Sequence, residues 1–249
     1  MAPVVYLVSG SNRGIGFGLV KALSARDNTI VFAGARDPDA AKGLHALAGE
    51  RPGKLHIVKL VSGDAKGNEE AVALIKEKAG HLDVVIANAG INQSWAPLFN
   101  TTEDSLRKHF EVNVVGTLVL FKAALPLLKA SSAASKFIMI SSQGGGLERG
   151  AAMPFDIGAY GISKAAENYL ARKLHFEHAN DGLVVFPICP GAVDTDMGQF
   201  AAEHDERMRA TPYKTVDETA VHLLNVIDNA TREHEGGQFM NFDGVKNPW

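Results

Sequence analysis

The sequence predicts one α/β domain spanning residues 1–249, built on a doubly wound sheet of about seven parallel strands. Three observations predict it. Short unbroken apolar runs alternate with segments of helical periodicity along the whole chain, the first run ends in a glycine cluster that opens a helix, and no shift in composition marks a linker. With 46% hydrophobic residues and 25 glycines, a chain of 249 residues can bury a large single core.

The elements follow in order. Val4–Val8 is apolar and β-prone throughout, as a strand covered on both faces must be. Behind it lies Ser9-Gly-Ser-Asn-Arg-Gly-Ile-Gly16, then Phe17, Leu19, Val20 and Leu23 at helical spacing, so the glycines occupy a strand-to-helix turn. A helix start offers unpaired N–H groups and a positive dipole end, and glycine lets a pyrophosphate approach the backbone. Gly10, Asn12, Arg13, Gly14, Ile15 and Gly16 are therefore the candidate phosphate cradle of a Rossmann-like fold, spaced G-x-x-x-G-x-G. Thr29–Ala35 reads as the second strand and Leu55–Val61 as the third, with a helix near 68–79. Leu82–Ala87 is a buried strand running into Asn88-Ala-Gly90. Thr102–Lys129 is helical by periodicity, holds Asn113 and Gly116, and should kink or end near Pro126. Lys136–Ile140 delivers Ser141 and Ser142 at its end. After the helix that starts near Tyr160, Leu183–Cys189 is a sixth strand in which Pro187 removes a ladder donor. A polar, mobile-looking segment to about Pro212, a helix at Val216–Asn229 and a last strand at Gln238–Phe242 complete the chain.

The chemistry concentrates at Tyr160 and Lys164. Four apart on a helix, they share a face, and a cation held near a phenol lowers a pKa that is ordinarily about 10. At the end of the second strand a dinucleotide-binding unit places an acid for ribose hydroxyls or an arginine for a 2′-phosphate. Here Ala35 is followed by Arg36, and Arg13 stands in the glycine turn, which points to NADPH (NADP+). The balance of 25 Lys+Arg against 28 Asp+Glu gives −3, which offers no general attraction for nucleic acid or an anionic membrane. Cys189 is the one cysteine, no histidine has metal-ligand spacing, and no run of about 18 apolar residues is visible. The expectation is a soluble cytoplasmic chain without metal, acting on a small molecule.

Six ordered motifs carry a resemblance to a known family: Gly10-Ser-Asn-Arg-Gly-Ile-Gly16, Asn88-Ala-Gly90, Asn113 in Val112-Asn-Val, Ser142, Tyr160-Gly-Ile-Ser-Lys164 and Pro190-Gly-Ala-Val-Asp-Thr195. From Tyr6 to Trp249 the chain resembles the classical short-chain dehydrogenase/reductases. Its C-terminal motifs are also similar to fungal norsolorinic acid ketoreductase-like and sniffer-type carbonyl reductases. The resemblance implies Tyr160 as proton donor, Lys164 as the group that lowers its pKa and binds the nicotinamide ribose, Ser142 as hydrogen-bond donor to the substrate oxygen, and Asn113 as holder of a relay water. It also implies that Asn88 is structural and lies near the adenosine, that Val193 and Thr195 fix the nicotinamide carboxamide, and that Ala89, Gly90, Pro190 and Gly191 are cofactor-binding. Two departures stand out. Ser142 and Tyr160 are 160 − 142 = 18 positions apart, longer than the family spacing, which leaves Ser141 as an alternative serine. The third strand also lacks the family's acid at its end, for which Asp64 is a candidate substitute.

The resulting expectation is an NADPH-dependent ketoreductase or carbonyl reductase for a small to medium apolar or aromatic carbonyl, with Trp95, Met153, Phe155, Met197 and Phe200 in the flanking loops. An NAD(P)-linked alcohol dehydrogenase and a catalytically silent nucleotide-binding regulator are the competing expectations. Family members commonly associate through the helices holding Asn113 and Tyr160, so a homo-oligomer, dimer or tetramer, is expected as well.

Overall fold

The computed structural model describes residues 2–249, and among these seven strands form one all-parallel sheet: β1 (Val4–Val8), β2 (Thr29–Ala35), β3 (Leu55–Lys59), β4 (Val84–Ala87), β5 (Lys136–Ile140), β6 (Val184–Cys189) and β7 (Met240–Asn241). Their spatial order is β3-β2-β1-β4-β5-β6-β7, so the winding reverses between β1 and β4. Ligands of such sheets sit at the carboxyl ends of the strands flanking that reversal.

Alternation along each strand feeds two cores. On β1, Val5 and Leu7 join Phe32, Phe121 and Phe137 on one face, while Tyr6 and Val8 join Leu19, Leu23, Leu223 and Ile227 on the other. The first face is covered by α3 (Ala65–Ala79), α5 (Gly116–Lys129) and α6 (Gly158–Glu177), and the second by α1 (Gly14–Ser24), α2 (Lys42–Glu50) and α9 (Val216–Asn229). Each large apolar side chain buried in this way contributes roughly 1.5–3 kcal/mol.

Several elements differ from the sequence expectation for physical reasons. The third strand stops at Lys59, and its helix starts at Ala65 because the Asp64 carboxylate caps it, accepting from Gly67 N at 3.0 Å. The helix over 102–129 is not uniform. It consists of α4 (Glu103–Phe110), a π turn over Glu111–Val115 that contains Asn113, and α5, which runs through Pro126 to Lys129. By length and composition alone Glu103–Lys129 would also suffice to cross a membrane, although its apolar residues are interrupted by polar ones; here Phe121, Ala124, Leu127 and Leu128 pack into the core.

Pro187 removes no ladder bond. Ile188 O and Val184 N are paired toward β5, so Pro187 faces the other side, where β7 pairs only with Ile188 and Cys189. The polar segment after Thr195 is folded as α7 (Asp196–His204) and α8 (Glu206–Arg209), each capped by the side chain before it, Thr195 and Asp205. The last strand is two residues long rather than five.

Candidate active site

The reversal point is built by Asn88. Its Nδ2 donates to Ser9 O (2.9 Å) and Gly10 O (3.1 Å), and its backbone N donates to Ser9 Oγ (3.0 Å), tying the end of β4 to the glycine turn. Gly10 and Gly14 adopt φ of +64° and +53°, the left-handed region that favours glycine. A Cβ on Gly16 would overlap the Gly10 carbonyl and Asn88 Nδ2. The turn therefore brings bare backbone to the start of α1, a shape suited to a pyrophosphate. Asn12, Arg13 and Arg36 are exposed beside it, and Ile15 packs against the core. Beyond the turn, a void of about 10 Å³, room for a single water, is lined by Ser9, Leu60, Ser62, Asn68, Ala89, Gly116 and Thr117 between β1, β4 and α5. Asp64, the sequence candidate for that end, spends its carboxylate on capping α3.

The carboxyl ends of β5 and β6 supply the other wall. Gly191 (φ +75°) turns the chain after Pro190; Thr195 donates to Val193 O (3.3 Å) and accepts from Gly198 N (3.2 Å). A Cβ on Gly14 would meet the Thr195 methyl at 3.3 Å, so the glycine turn and the Pro190–Thr195 loop lie side by side. Between the two, the Arg13 guanidinium donates to the Asp196 carboxylate.

The two adjacent serines part company. Ser141 is buried with its Oγ 2.6 Å from Asn168 Oδ1, whereas Ser142 accepts from Gly144 N (3.1 Å) and lies near enough to Tyr160 to pull its pKa down. The long insertion folds back as a 3-10 turn over Gln143–Gly145 and packs on α6 so closely that a Cβ on Gly145 would meet the Lys164 backbone at 2.6 Å. The spacing of 18 positions thus leaves Ser142 in place.

Tyr160 sits in the first turn of α6, with Lys164 Nζ 5.9 Å from its ring centre. Burial pushes the Tyr160 phenol up from its ordinary value, the Lys164 ammonium and the Ser142 hydroxyl pull it down, and Glu167 and Cys189 push it up again. Lys164 is buried, donating to Ile140 O (2.8 Å) and to Glu167 Oε2 (2.6 Å). Asn113 is buried within the π turn. It donates to Ile91 O (3.0 Å) and Ser163 Oγ (2.9 Å) and accepts from Ile91 N (2.8 Å), so its side chain locks the segment after Gly90 to α6. Gly90 completes the cluster, its Cβ direction facing Asn113 Oδ1 and Lys164 Nζ. Tyr160, Lys164, Ser142, Asn113 and Gly90 therefore converge, while the glycine turn and Arg36 follow the carboxyl ends of β1 and β2 in the same parallel sheet.

The flanking loops partly pack on themselves. Trp95 and Phe155 lie 6.3 Å apart, Arg207 stacks on Phe155 at 5.3 Å, and Phe200 contacts His204. Sequence reasoning missed Glu167, Thr117, Asn168 and Asp196. Of these only Glu167 carried a signal, its i, i+3 spacing from Lys164 on the face that also bears buried Ala171 and Leu174.

The family description short chain dehydrogenase matches residues 4–206. The chain belongs to the short-chain dehydrogenase family. Among relatives, a norsolorinic acid ketoreductase of Dothistroma septosporum is 37% identical, covering 98% of this chain and 92% of that protein. An uncharacterized oxidoreductase of Schizosaccharomyces pombe is 35% identical over 98% of both chains. Among solved structures, an NADPH-bound carbonyl reductase from chicken fatty liver superposes with a TM-score of 0.88 at 31% identity, and the carbonyl reductase Sniffer of D. melanogaster with 0.87 at 26%, each over the full length of both chains. The protein is a short-chain oxidoreductase of the kind that uses a nicotinamide cofactor, with ketoreductases and carbonyl reductases among its relatives.

Proposed function

We propose that the chain is an NADPH-dependent ketoreductase or carbonyl reductase in which Tyr160 donates the proton to a ketone or aldehyde oxygen. One observation carries this reading: the Tyr160 ring lies beside the buried Lys164 ammonium, with the Ser142 hydroxyl near enough to pull the phenol's pKa down. Once bound, the reduced nicotinamide supplies the hydride. Because Ser142 Oγ accepts from Gly144 N, its hydrogen is free to turn to a carbonyl oxygen. Tyr160 then gives its proton to the oxygen as negative charge builds there, and Lys164 stabilises the phenolate left behind. Asn113 holds Gly90, Ile91 and α6 in mutual register, so the donors keep their aim.

Arg36 and Arg13 would take the 2′-phosphate, Val193 and Thr195 the nicotinamide side, and Asn88 the adenosine side, with Ala89 and Gly90 leading from it to the Lys164 cluster. The NADPH held by the chicken carbonyl reductase supports the cofactor choice. Trp95 and Phe155 in the flanking loops favour an apolar or aromatic carbonyl. Homo-association is part of this reading, supported by exposed Phe110, Ile162, Tyr169 and Phe176 on the helices that carry Asn113 and Tyr160. So is a cytoplasmic site of action, consistent with the single buried thiol of Cys189.

Tyr160→Phe tests the mechanism. With isatin as an aromatic ketone probe, turnover should fall by about 10²- to 10⁴-fold while NADPH binding, measured by fluorescence titration, stays nearly unchanged. Retained turnover overturns the assignment of Tyr160.

A further inference from the structure

Glu167 is a carboxylate placed where an apolar helix face would ordinarily continue. It is one turn below the Tyr160–Lys164 pair on α6 and fully buried. Its Oε2 receives Lys164 Nζ at 2.6 Å, and its Oε1 lies 3.1 Å from Thr117 Oγ1 on α5. Thr117 Oγ1 is also 2.8 Å from Asn113 O in the π turn, so one hydroxyl hydrogen is shared between the carboxylate and the main chain of Asn113. Lys164 and Asn113 are thus joined through side chains of this protein, by way of Glu167 and Thr117. A buried carboxylate left without a partner would be strongly unfavourable, and here both oxygens are engaged.

We propose that Glu167 is a positioning residue of the reductase, an internal counter-ion that pins the Lys164 ammonium between the Ile140 carbonyl and the Tyr160 ring and sets how firmly the Tyr160–Lys164 pair holds its protons. This rests on the proposed roles of Tyr160 and Lys164. The charged and titratable groups that face the pair are Glu167 from α6 itself and the Cys189 thiol from the end of β6; from α5 comes only the uncharged Thr117 hydroxyl.

The sign follows from charge. Burial works against the Lys164 ammonium, but the adjacent Glu167 carboxylate, with Tyr160 and Cys189, holds the lysine above its ordinary value. The same carboxylate adds to burial in raising Tyr160. Burial also raises Glu167, while Lys164 and Thr117 pull it back, and the short contact to an ammonium holds it as the anion. Replacing the anion by a neutral group of the same shape makes the cluster more positive by one charge, so the Tyr160–Lys164 pair must lose its first proton at lower pH. Reduction needs that proton on Tyr160.

The test is the pH profile of kcat/KM for isatin reduction with saturating NADPH, in the wild type and in Glu167→Gln. The basic limb of the profile should move to lower pH in the variant. Should Glu167→Gln not fold, Glu167→Ala, which leaves room for water to solvate the ammonium, carries the same test. A loss of activity that is uniform across pH, with the limb in place, marks a merely structural carboxylate and overturns the proposal. A second readout is independent of turnover: the ultraviolet tyrosinate titration, with the corresponding Tyr160→Phe protein subtracted, should show Tyr160 ionising at lower pH without Glu167. If Tyr160→Phe keeps full turnover, the catalytic reading fails while this titration still judges the counter-ion; if Tyr160→Phe is inactive and neither limb nor titration moves, the counter-ion alone fails.

Discussion

Where a phosphate is proposed to bind, Arg13 and Asp196 pair with 71% and 66% of their side chains exposed; beside Tyr160, Lys164 and Glu167 pair at 4% and 1%. Water and salt screen the first pair, so it contributes about 0–1 kcal/mol and can be exchanged for a ligand at little cost. The second pair has no water to replace a lost partner, so it can be kept or broken but not exchanged. One protein therefore holds a replaceable charge where a ligand phosphate is proposed to arrive and a fixed charge where a proton is proposed to leave.

The sharpest way to break this contrast is to remove one buried partner. Lys164→Met leaves Glu167 alone in the core and should lower unfolding stability by about 3–5 kcal/mol at neutral pH, read from urea denaturation. Glu167 can answer by taking up a proton, because burial raises its pKa above that of the unfolded chain. A group raised in this way contributes stability that is present at low pH and lost as pH rises, so the deficit of the variant should shrink in acid and grow toward neutrality. A deficit that is small and flat with pH would mean that the buried pair is no more fixed than the exposed one.

Arg36 probes the proposed phosphate site directly. It lies beyond Ala35 at the end of β2 and is exposed to solvent. A charge-assisted bond to a phosphate is worth about 1.5–3 kcal/mol, so Arg36→Ala should raise the KM for NADPH by roughly 10- to 100-fold and leave NADH nearly untouched. Folding stability should stay within about 0.5 kcal/mol, as for other exposed positions. An equal effect on both cofactors would remove Arg36 from the phosphate site.

What could be read in the sequence follows the same division between local and distant causes. The strands were legible because a parallel strand covered on both faces must be apolar throughout, as Val4–Val8 and Val84–Ala87 are. The Tyr160 and Lys164 spacing was legible because a helix turn is local. Glu167 offered only its i, i+3 spacing from Lys164, which a glutamate on a helix normally shows while solvated; its second partner, Thr117, is 50 positions away. Likewise Asp196 meets Arg13 across 183 positions, and the polar segment containing it becomes two helices through side-chain caps at Thr195 and Asp205 and not through apolar periodicity. Pro187 looked costly because a sequence does not say which side of a strand lacks a partner.

The smallest effect, and the finest test of the contrast, is Asp196→Asn. In the free protein Asp196 competes with any phosphate for Arg13, and removing its charge releases the guanidinium. The pair is worth at most about 1 kcal/mol, so NADPH should bind up to about fivefold more tightly at low salt. Salt screens exposed charges within about 10 Å at 0.1 M, so the gain should fade as ionic strength rises. The substitution also removes an acidic side chain from the first turn of α7, which costs about 0.3–1 kcal/mol of stability, so tighter binding would come with a slightly less stable protein. Binding that is weaker or unchanged would show that Asp196 fixes the position of Arg13 instead of competing for it, and the two pairs would then hold their charges by the same rule.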